Sequence, residues 1–308
     1  MKNTKTVYDH IKSNNIKTAM LVVAFPLIFI ALVFLFVWIV APLQTAIETT
    51  TMVAIPTTIA CLAWLLISWA FGDSMMLSSV GATEIHDDKP EYREIFRSVE
   101  NVALAAGLPT PRVYIINDDS LNAFATGRSP RDASVALTRG IINKLDKLEL
   151  EGVIAHEMAH IGNRDIRLDM ILVTGIGVTV FAADVILRTA LHTGGSRDDK
   201  NNSTAVLLMV WLAFMVFNWI ITPLLRMAVS RQREYAADAT GAHITRNPAA
   251  LASALRKITS NSRVKSMDKV KSMSAMCIAN PGGAREFVGE LFATHPPAAE
   301  RIKRLENM

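Results

Sequence analysis

Cysteine and charge are both scarce in this sequence. Its 308 residues include 2 cysteines, and charged residues make up 19% of the chain against 51% hydrophobic residues. Two cysteines cannot build a framework of disulfide bonds. A chain this apolar and this weakly charged is also not intrinsically disordered, because it has ample surface to bury.

Signals for nucleic-acid binding are lacking as well. The formal net charge is only +4, and the sequence contains no recognised nucleic-acid-binding motif and no internal repeat. The basic residues of the segment 260–283 fit anionic lipid headgroups better than nucleic acid. We therefore predict membrane lipid, and not nucleic acid, as a partner.

Charge is absent altogether from several long apolar runs. A helix that crosses a bilayer needs about 20 apolar residues, so these runs predict membrane spans near 18–40, 51–71 and 205–225. A fourth candidate, 170–190, is interrupted by Asp184, and an ionisable group in lipid costs about 2.5–3.5 kcal/mol on insertion scales. For this stretch, a helix buried against the rest of the protein is the alternative. The first run is too long for a signal peptide, whose apolar core has about 7–15 residues.

The distribution of lysine predicts the orientation of these spans. Four lysines precede the first span, and none lies in the connection 41–50. Because cytoplasmic flanks carry the excess of lysine and arginine, the N-terminus is predicted to be cytoplasmic. The chain then consists of two membrane hairpins, in 1–72 and 170–225, and two polar parts, 73–169 and 226–308, that together form one cytoplasmic domain.

The first polar part is predicted to begin with a helix followed by short strands. Residues 91–106 have helical spacing of apolar positions. The β-branched and aromatic content of 112–117 predicts a strand. Two further strand candidates, 120–127 and 133–138, are separated by a turn-prone segment.

The motif that carries chemistry is His156-Glu-Met-Ala-His160. Asp146 followed by Glu149 is a helix-start signal, so the motif is predicted to lie on a helix. Residues four apart share one helix face, which lets both imidazoles reach one metal ion while Glu157 stands beside the open position. This HExxH pattern supplies two zinc ligands and a general base for the attacking water. The alternative is that the pattern arises by chance, which is expected in about one in a hundred sequences of this composition.

A metal site with two histidines needs a third protein ligand. Glu234 is a candidate, and Asp238, four residues on, could accept a hydrogen bond from the far nitrogen of a ligand histidine; a solvated charged face is the alternative. If both helices continue straight into the membrane, His160 and Glu234 stand at about the same height above it. The reason is that each is separated from the adjacent apolar run by a similar number of residues.

Four motifs in this chain occur together in one protein family. They are Ser120-Leu-Asn-Ala-Phe-Ala-Thr-Gly127, the HExxH motif with Asp165 after it, Ser230-Arg231 with Arg233-Glu234 and Ala237-Asp-Ala239, and Thr294-His-Pro-Pro297. In these motifs the chain resembles the HtpX-type membrane zinc metalloproteases, a gluzincin family related to the CAAX prenyl proteases.

The resemblance implies a fold and a metal. The fold is a mainly α membrane protein, in which a transmembrane helix bundle of about four spans carries a cytoplasmic α+β zincin-like metallopeptidase domain. Glu234 becomes the third ligand beside His156 and His160, with one zinc ion per chain. Asp165 and Asp169 are expected to be structural and not catalytic, and Asp165 and Asp238 are expected to support the ligands.

The resemblance also implies roles for residues around the metal. His295, from the terminal motif, is the candidate that stabilises the oxyanion, although a surface-loop histidine is the alternative. Arg231 is a second candidate for that contact or for substrate, with an arginine that reaches towards lipid headgroups as the alternative. The substrate is expected to pair as an added strand. That edge strand comprises Asn122, Ala123, Phe124 and Ala125.

We therefore predict a multi-pass integral protein of the plasma or inner membrane that hydrolyses peptide bonds at the cytoplasmic face. Its substrates are polypeptides, above all misfolded membrane proteins. By resemblance, it acts in protein quality control and the stress response and cleaves itself. The alternatives are a CAAX-type processing protease and a non-proteolytic transporter or scaffold with a structural metal.

Overall fold

The computed structural model describes residues 46–193, 231–260 and 296–308 continuously, with scattered positions between 12 and 35 and between 208 and 219. The described chain divides into two compact units. Unit 1 lies within Phe71–Val173 and Arg226–Met308, together with Met1–Lys17, and unit 2 lies within Thr18–Ala70 and Thr174–Leu225.

Helices make up most of the described residues. In chain order they are α1 (Ala46–Ser79), α2 (Arg93–Ala105), α3 (Arg139–Lys144), α4 (Lys147–Gly162), α5 (Asp165–Thr193), α6 (Arg231–Thr245), α7 (Pro248–Ser260) and α8 (Ala298–Glu306). The chain is therefore mainly helical, with α1 and α5 contributing residues to both units.

A small sheet lies in unit 1. Its strands are β1 (Ala82–Ile85), β2 (Arg112–Ile116), β3 (Ala123–Thr126) and β4 (Ser134–Thr138), in the spatial order β1-β2-β4-β3. β2 and β4 are parallel, and the two outer pairs are antiparallel. β3 is therefore an edge strand of the described sheet, and every residue in it is buried.

The helix and three strands predicted for the first polar part are confirmed as α2, β2, β3 and β4, with slightly shorter ends. β1 was not predicted, because a run of four residues directly after Gly81 is too short to display an alternating pattern. The mixture of helices and strands agrees with the α+β class expected for this domain.

The core of unit 1 forms where α4 packs between the sheet, α2, α6 and α7. Two glycines permit the closest approaches. A Cβ atom added at Gly152 would lie 3.2 Å from the backbone of Leu251 on α7, and one added at Gly241 would lie 3.0 Å from the backbone nitrogen of His156. Both distances are shorter than ordinary van der Waals contacts, so α6 and α7 depend on these glycines to reach α4.

The start of α4 has the predicted cap. The Asp146 side chain accepts a hydrogen bond from the Glu149 N–H, and the Glu149 carboxylate accepts one from the Asp146 N–H, each at 2.9 Å. This reciprocal capping box fixes the first turn. The same Glu149 carboxylate accepts from Ser253 Oγ at 2.7 Å and Lys257 Nζ at 2.6 Å on α7. Burial acts to raise the pKa of Glu149, but these hydrogen bonds lower it below its ordinary value.

The end of α4 differs from the straight continuation considered from the sequence. The helix ends at Gly162, Asn163 caps it, and Arg164 adopts a left-handed conformation with φ of 58° before α5 begins at Asp165. A residue with positive φ cannot continue a right-handed helix. The turn brings the Asp165 carboxylate back to within 2.8 Å of His160.

Unit 2 contains polar contacts between and within helices. Thr179 Oγ1 lies 2.6 Å from Asn218 Oδ1, and the Asn218 side chain donates to the carbonyl of Phe214. Asp184 accepts a hydrogen bond from Arg188, one turn further along α5, at 2.7 Å. Asp184 thus has a cationic partner within its own helix.

Two of the predicted spans fall on described helices, 51–71 on α1 and 170–190 on α5. The other two, 18–40 and 205–225, lie largely outside the described residues. Among the residues that the structure describes, no helix qualifies as a candidate membrane span by length and apolar content.

Candidate metal centre

Three predicted metal ligands meet between α4 and α6. His156 Nε2 and His160 Nε2 lie 3.2 Å apart. The Glu234 carboxylate lies 3.7 Å from the first and 3.6 Å from the second. Zinc ligands in tetrahedral geometry, each at about 2.0–2.1 Å from the metal, are about 3.4 Å from one another. The spacing and the donor types of these three residues therefore fit a zinc ion.

The far nitrogen of each ligand histidine faces a buried carboxylate. His156 Nδ1 lies 3.0 Å from Asp238, and His160 Nδ1 lies 2.8 Å from Asp165. With a proton on Nδ1 donated to the carboxylate, each Nε2 presents its lone pair to the metal position. The structure thus brings Asp238 and Asp165 to the positions expected for supporting residues.

The carboxylates make the centre favourable for positive charge. Burial would lower the pKa of His160, but Asp165, Glu234 and Glu157 raise it to about 9. His156 differs, because burial and the positive charge of Arg301 lower its pKa. A cation bound at this centre takes the place of a proton that the same carboxylates would otherwise stabilise on His160.

Glu157 lies on α4 beside the ligands and is 2% exposed. Burial raises the pKa of its carboxyl to about 7, the range suited to a general base at neutral pH. The backbone N–H of Ala125 on β3 acts in the opposite direction and lowers this pKa. The edge strand β3 also packs against α4, the helix that carries Glu157.

The four residues predicted as the substrate strand occupy that edge. Ala123, Phe124 and Ala125 belong to β3 and pair with β4, and the N–H of Asn122 donates to Thr138 Oγ1 at 3.0 Å. β3 therefore pairs with β4 and packs against α4, which carries the HExxH motif.

A buried ion network connects the ligands to α5. Arg233, next to Glu234 in sequence, donates to Asp165 at 3.3 Å and to Asp169 at 3.2 Å. Burial acts to raise the pKa of Asp165, but Arg233 and His160 lower it. Sequence reasoning placed Arg233 in a motif but gave it no role. The one signal of its role in the sequence was its position next to the predicted ligand Glu234.

Arg301 on α8 was missed from the sequence. Its guanidinium is 2% exposed and binds the Asp238 carboxylate at 2.8 and 2.7 Å. Burial acts to raise the pKa of Asp238, but Arg301 lowers it to about 2. The available signal was its spacing, because Arg301 shares the apolar face of α8 with Leu305, four residues on.

Two predicted residues are not placed at the site. His295 lies outside the described residues. Arg231 is the first residue of α6, and its side chain is outside the described part. Their predicted contacts with the oxyanion or the substrate stay predictions.

A helix with HExxH, a carboxylate from a second helix and an edge strand beside the candidate base are the arrangement typical of a metallopeptidase centre. Residues 90–308 match the model of peptidase family M48, and the chain belongs to that family.

Relatives of similar length support this assignment. The chain is 41% identical over 307 residues to a protease HtpX homolog from Thermoanaerobacter pseudethanolicus, covering 99% of this chain and 98% of the relative. It is 35% identical over 311 residues to a protease HtpX homolog from Bacteroides fragilis, covering 95% and 96%. The resemblance to HtpX-type proteases is confirmed, and the chain is a metalloprotease. The relatives favour this function over a CAAX-type processing protease and over a transporter or scaffold.

A solved structure is also similar. The crystal structure of S. mikatae Ste24p matches with a TM-score of 0.48 and 17% sequence identity, covering 98% of this chain and 66% of that chain.

Proposed function

We propose that the chain is a membrane-embedded, zinc-dependent endopeptidase that cleaves polypeptides at the cytoplasmic face. The observation that carries the proposal is the close grouping of His156, His160 and Glu234, with the buried Glu157 beside it. Zinc is the metal that this donor set fits best, because two imidazoles and one carboxylate are typical of catalytic zinc with an open position for water.

The chemistry follows from the residues. Zinc, when bound, supplies an activated water and polarises the scissile carbonyl. Glu157 takes the proton of the attacking water and passes it to the leaving nitrogen. Burial raises the pKa of Glu157 above its ordinary value, which makes its carboxylate a stronger base. Asp238 and Asp165 keep the two imidazoles in the tautomer that binds metal.

Substrate is proposed to bind along β3 as an additional strand. Backbone hydrogen bonds at a sheet edge give affinity with little dependence on sequence. This suits a protease that acts on misfolded polypeptides of varied sequence.

Insertion of the chain in a membrane is supported by its apolar surface. Ile55, Ile59, Leu62 and Leu66 recur on one face of α1, and each is more than half exposed. A continuous exposed apolar stripe is stable in contact with lipid. The ion pair between Asp184 and Arg188 reduces the cost of placing Asp184 in the span 170–190.

The proposed organisation keeps the four predicted parts. The hairpins 1–72 and 170–225 lie in the plasma or inner membrane, and 73–169 and 226–308 form the cytoplasmic domain. Misfolded membrane proteins are the proposed substrates, in protein quality control. Membrane lipid is the proposed second partner.

The decisive variant is Glu157→Gln, which keeps the shape and the zinc ligands but removes the base. We expect the full-length protein in detergent to retain one zinc ion and to lose about 10²–10⁴-fold in the rate of casein cleavage. The matched control is Glu151→Gln on the same helix, which should cleave casein at the wild-type rate. Equal cleavage by the Glu157→Gln and wild-type proteins would refute the proposed protease mechanism.

A further inference from the structure

We propose that Arg301 is a positioning residue for the metal ligands, carried to the centre by α8. This inference rests on the proposed zinc site. Arg301 belongs to the terminal segment of the described chain, far in sequence from the HExxH motif. Its role follows from what its guanidinium contacts.

Arg301 buries a full positive charge. Arg301 is among the largest fully buried side chains of the described residues. An arginine this deep is stable only when carboxylates neutralise it and accept its hydrogen bonds. Asp238 accepts from Nε and Nη2 in the two-pronged geometry that only arginine provides. The guanidinium plane is thereby fixed relative to α6.

Asp238 is shared between Arg301 and His156. The same Asp238 oxygen, Oδ1, lies 2.7 Å from Arg301 Nη2 and 3.0 Å from His156 Nδ1. Arg301 therefore fixes the carboxylate that orients the His156 imidazole. Nη2 also lies 3.4 Å from both ring nitrogens of His156, so it restricts the ring directly.

Arg301 also contacts the third metal ligand, Glu234. Arg301 Nη1 lies 3.5 Å from Glu234 Oε2, the oxygen that faces His156. Asp238 and Glu234 are one turn apart on α6, and the guanidinium spans both. One side chain thus sets the direction of two ligands, His156 through Asp238 and Glu234 by its own charge.

The other ligand histidine has the same arrangement. His160 donates to Asp165, and Asp165 accepts from Arg233. Each imidazole contacts a carboxylate, and each of these carboxylates binds a buried arginine. The repetition of this order on both sides of the metal position supports a positioning role for Arg301 beyond general packing.

The test compares the zinc affinity of full-length variants in detergent, measured by competition with a chelator. Arg301→Met keeps the apolar stem of the side chain and removes the charged guanidinium, and we expect zinc to bind about 10–100-fold more weakly. Arg301→Lys keeps the charge but not the fork, and should bind zinc with intermediate affinity. The matched control is Lys303→Met, an exposed position on α8, which should bind zinc like the wild type.

A second measurement separates positioning from stability. With cobalt in place of zinc, the visible absorption spectrum reports the ligand geometry, and we expect it to change in both Arg301 variants but not in Lys303→Met. Wild-type affinity and an unchanged spectrum in folded Arg301→Met would overturn the proposal. If Arg301→Met does not fold, wild-type zinc affinity and an unchanged spectrum in Arg301→Lys would overturn the proposal. Neither measurement depends on cleavage. A wild-type protein that binds zinc but does not cleave casein would therefore refute the proposed function and leave the proposed role of Arg301 standing.

Discussion

Glu149 is a single carboxylate that stabilises two helices. It closes the capping box of α4 and accepts hydrogen bonds from Ser253 and Lys257 on α7. Its pKa is lower in the folded protein than its ordinary value. A group of this kind stabilises the fold above its unfolded pKa, about 4.3, and loses that contribution as the pH falls through the folded pKa.

Glu149→Gln should therefore destabilise the protein in a manner that depends on pH. We expect a loss of about 1–3 kcal/mol in the free energy of unfolding at pH 7, because the charge that binds Lys257 is removed. The difference from wild type should shrink as the pH falls below about 4.3. Thermal unfolding across that range, with Glu151→Gln as the control, measures it. A difference that grows on acidification would contradict this assignment.

Residue identities near the metal were predictable to different degrees. The spacing of His156, His160, Glu234 and Asp238 follows from helix geometry, because residues four apart lie on one face. The role of Arg301 was not predictable, because its carboxylate partner is chosen by tertiary packing. A sequence reveals that an arginine lies on an apolar face, but not which acid neutralises it.

Among the elements, the contact between α4 and α6 controls the metal geometry. α6 carries both Glu234 and Asp238, and it approaches α4 at Gly241. A Cβ atom at Gly241 would lie 3.0–3.2 Å from the backbone of Ala155 and His156. Backbone atoms inside a helix cannot move aside cheaply, so a larger residue would displace α6 as a whole.

Gly241→Ala should therefore weaken both zinc binding and stability. We expect about a tenfold loss of zinc affinity, because displacement of α6 moves Glu234 and Asp238 away from His156 together. Stability should fall by about 1–3 kcal/mol from overpacking, despite the better helix propensity of alanine. Chelator competition and thermal unfolding measure the two effects. Gly177→Ala on α5, where an added Cβ meets nothing within 4 Å, is the control and should show neither loss.

The elements themselves were largely predictable where local chemistry specifies them. The start of α4 follows from Asp146 and Glu149. β2 follows from a β-branched and aromatic run, and β3 and β4 follow from the turn-prone segment between them. The turn between α4 and α5 did not follow, because the left-handed residue is Arg164, whereas glycine or asparagine usually occupies such a position. That turn places Asp165 against His160. The contact between these two residues therefore could not be predicted from the sequence either.

For the whole molecule, the proposed topology places the loop 191–204 outside the cell. A peptide tag inserted after Arg197 should be cleaved by protease added to intact spheroplasts, because the second hairpin is expected to emerge there. A tag after Met308 is the control, and it should be protected until the membrane is permeabilised. Protection of both tags in intact spheroplasts would contradict the four-span organisation.

The sequence also predicted that the metal site combines residues from before and after 170–225. This followed from motif positions alone, because the HExxH motif and Glu234 lie on either side of that stretch. The depth of burial did not follow. His156, Glu157, Glu234 and Asp238 are each at most 3% exposed, which results from packing of α4 against α6 and α7.

The discontinuity of unit 1 has a consequence for how it folds. α4 is synthesised well before α6, so its buried ligand face has no partner until the chain between them is complete. Joining them closes a long loop, and non-local contacts of this kind slow folding, although each doubling of loop length adds only about 0.6 kcal/mol of entropy. We therefore expect helix α4 to form early, and the metal centre to be among the last parts of the protein to assemble.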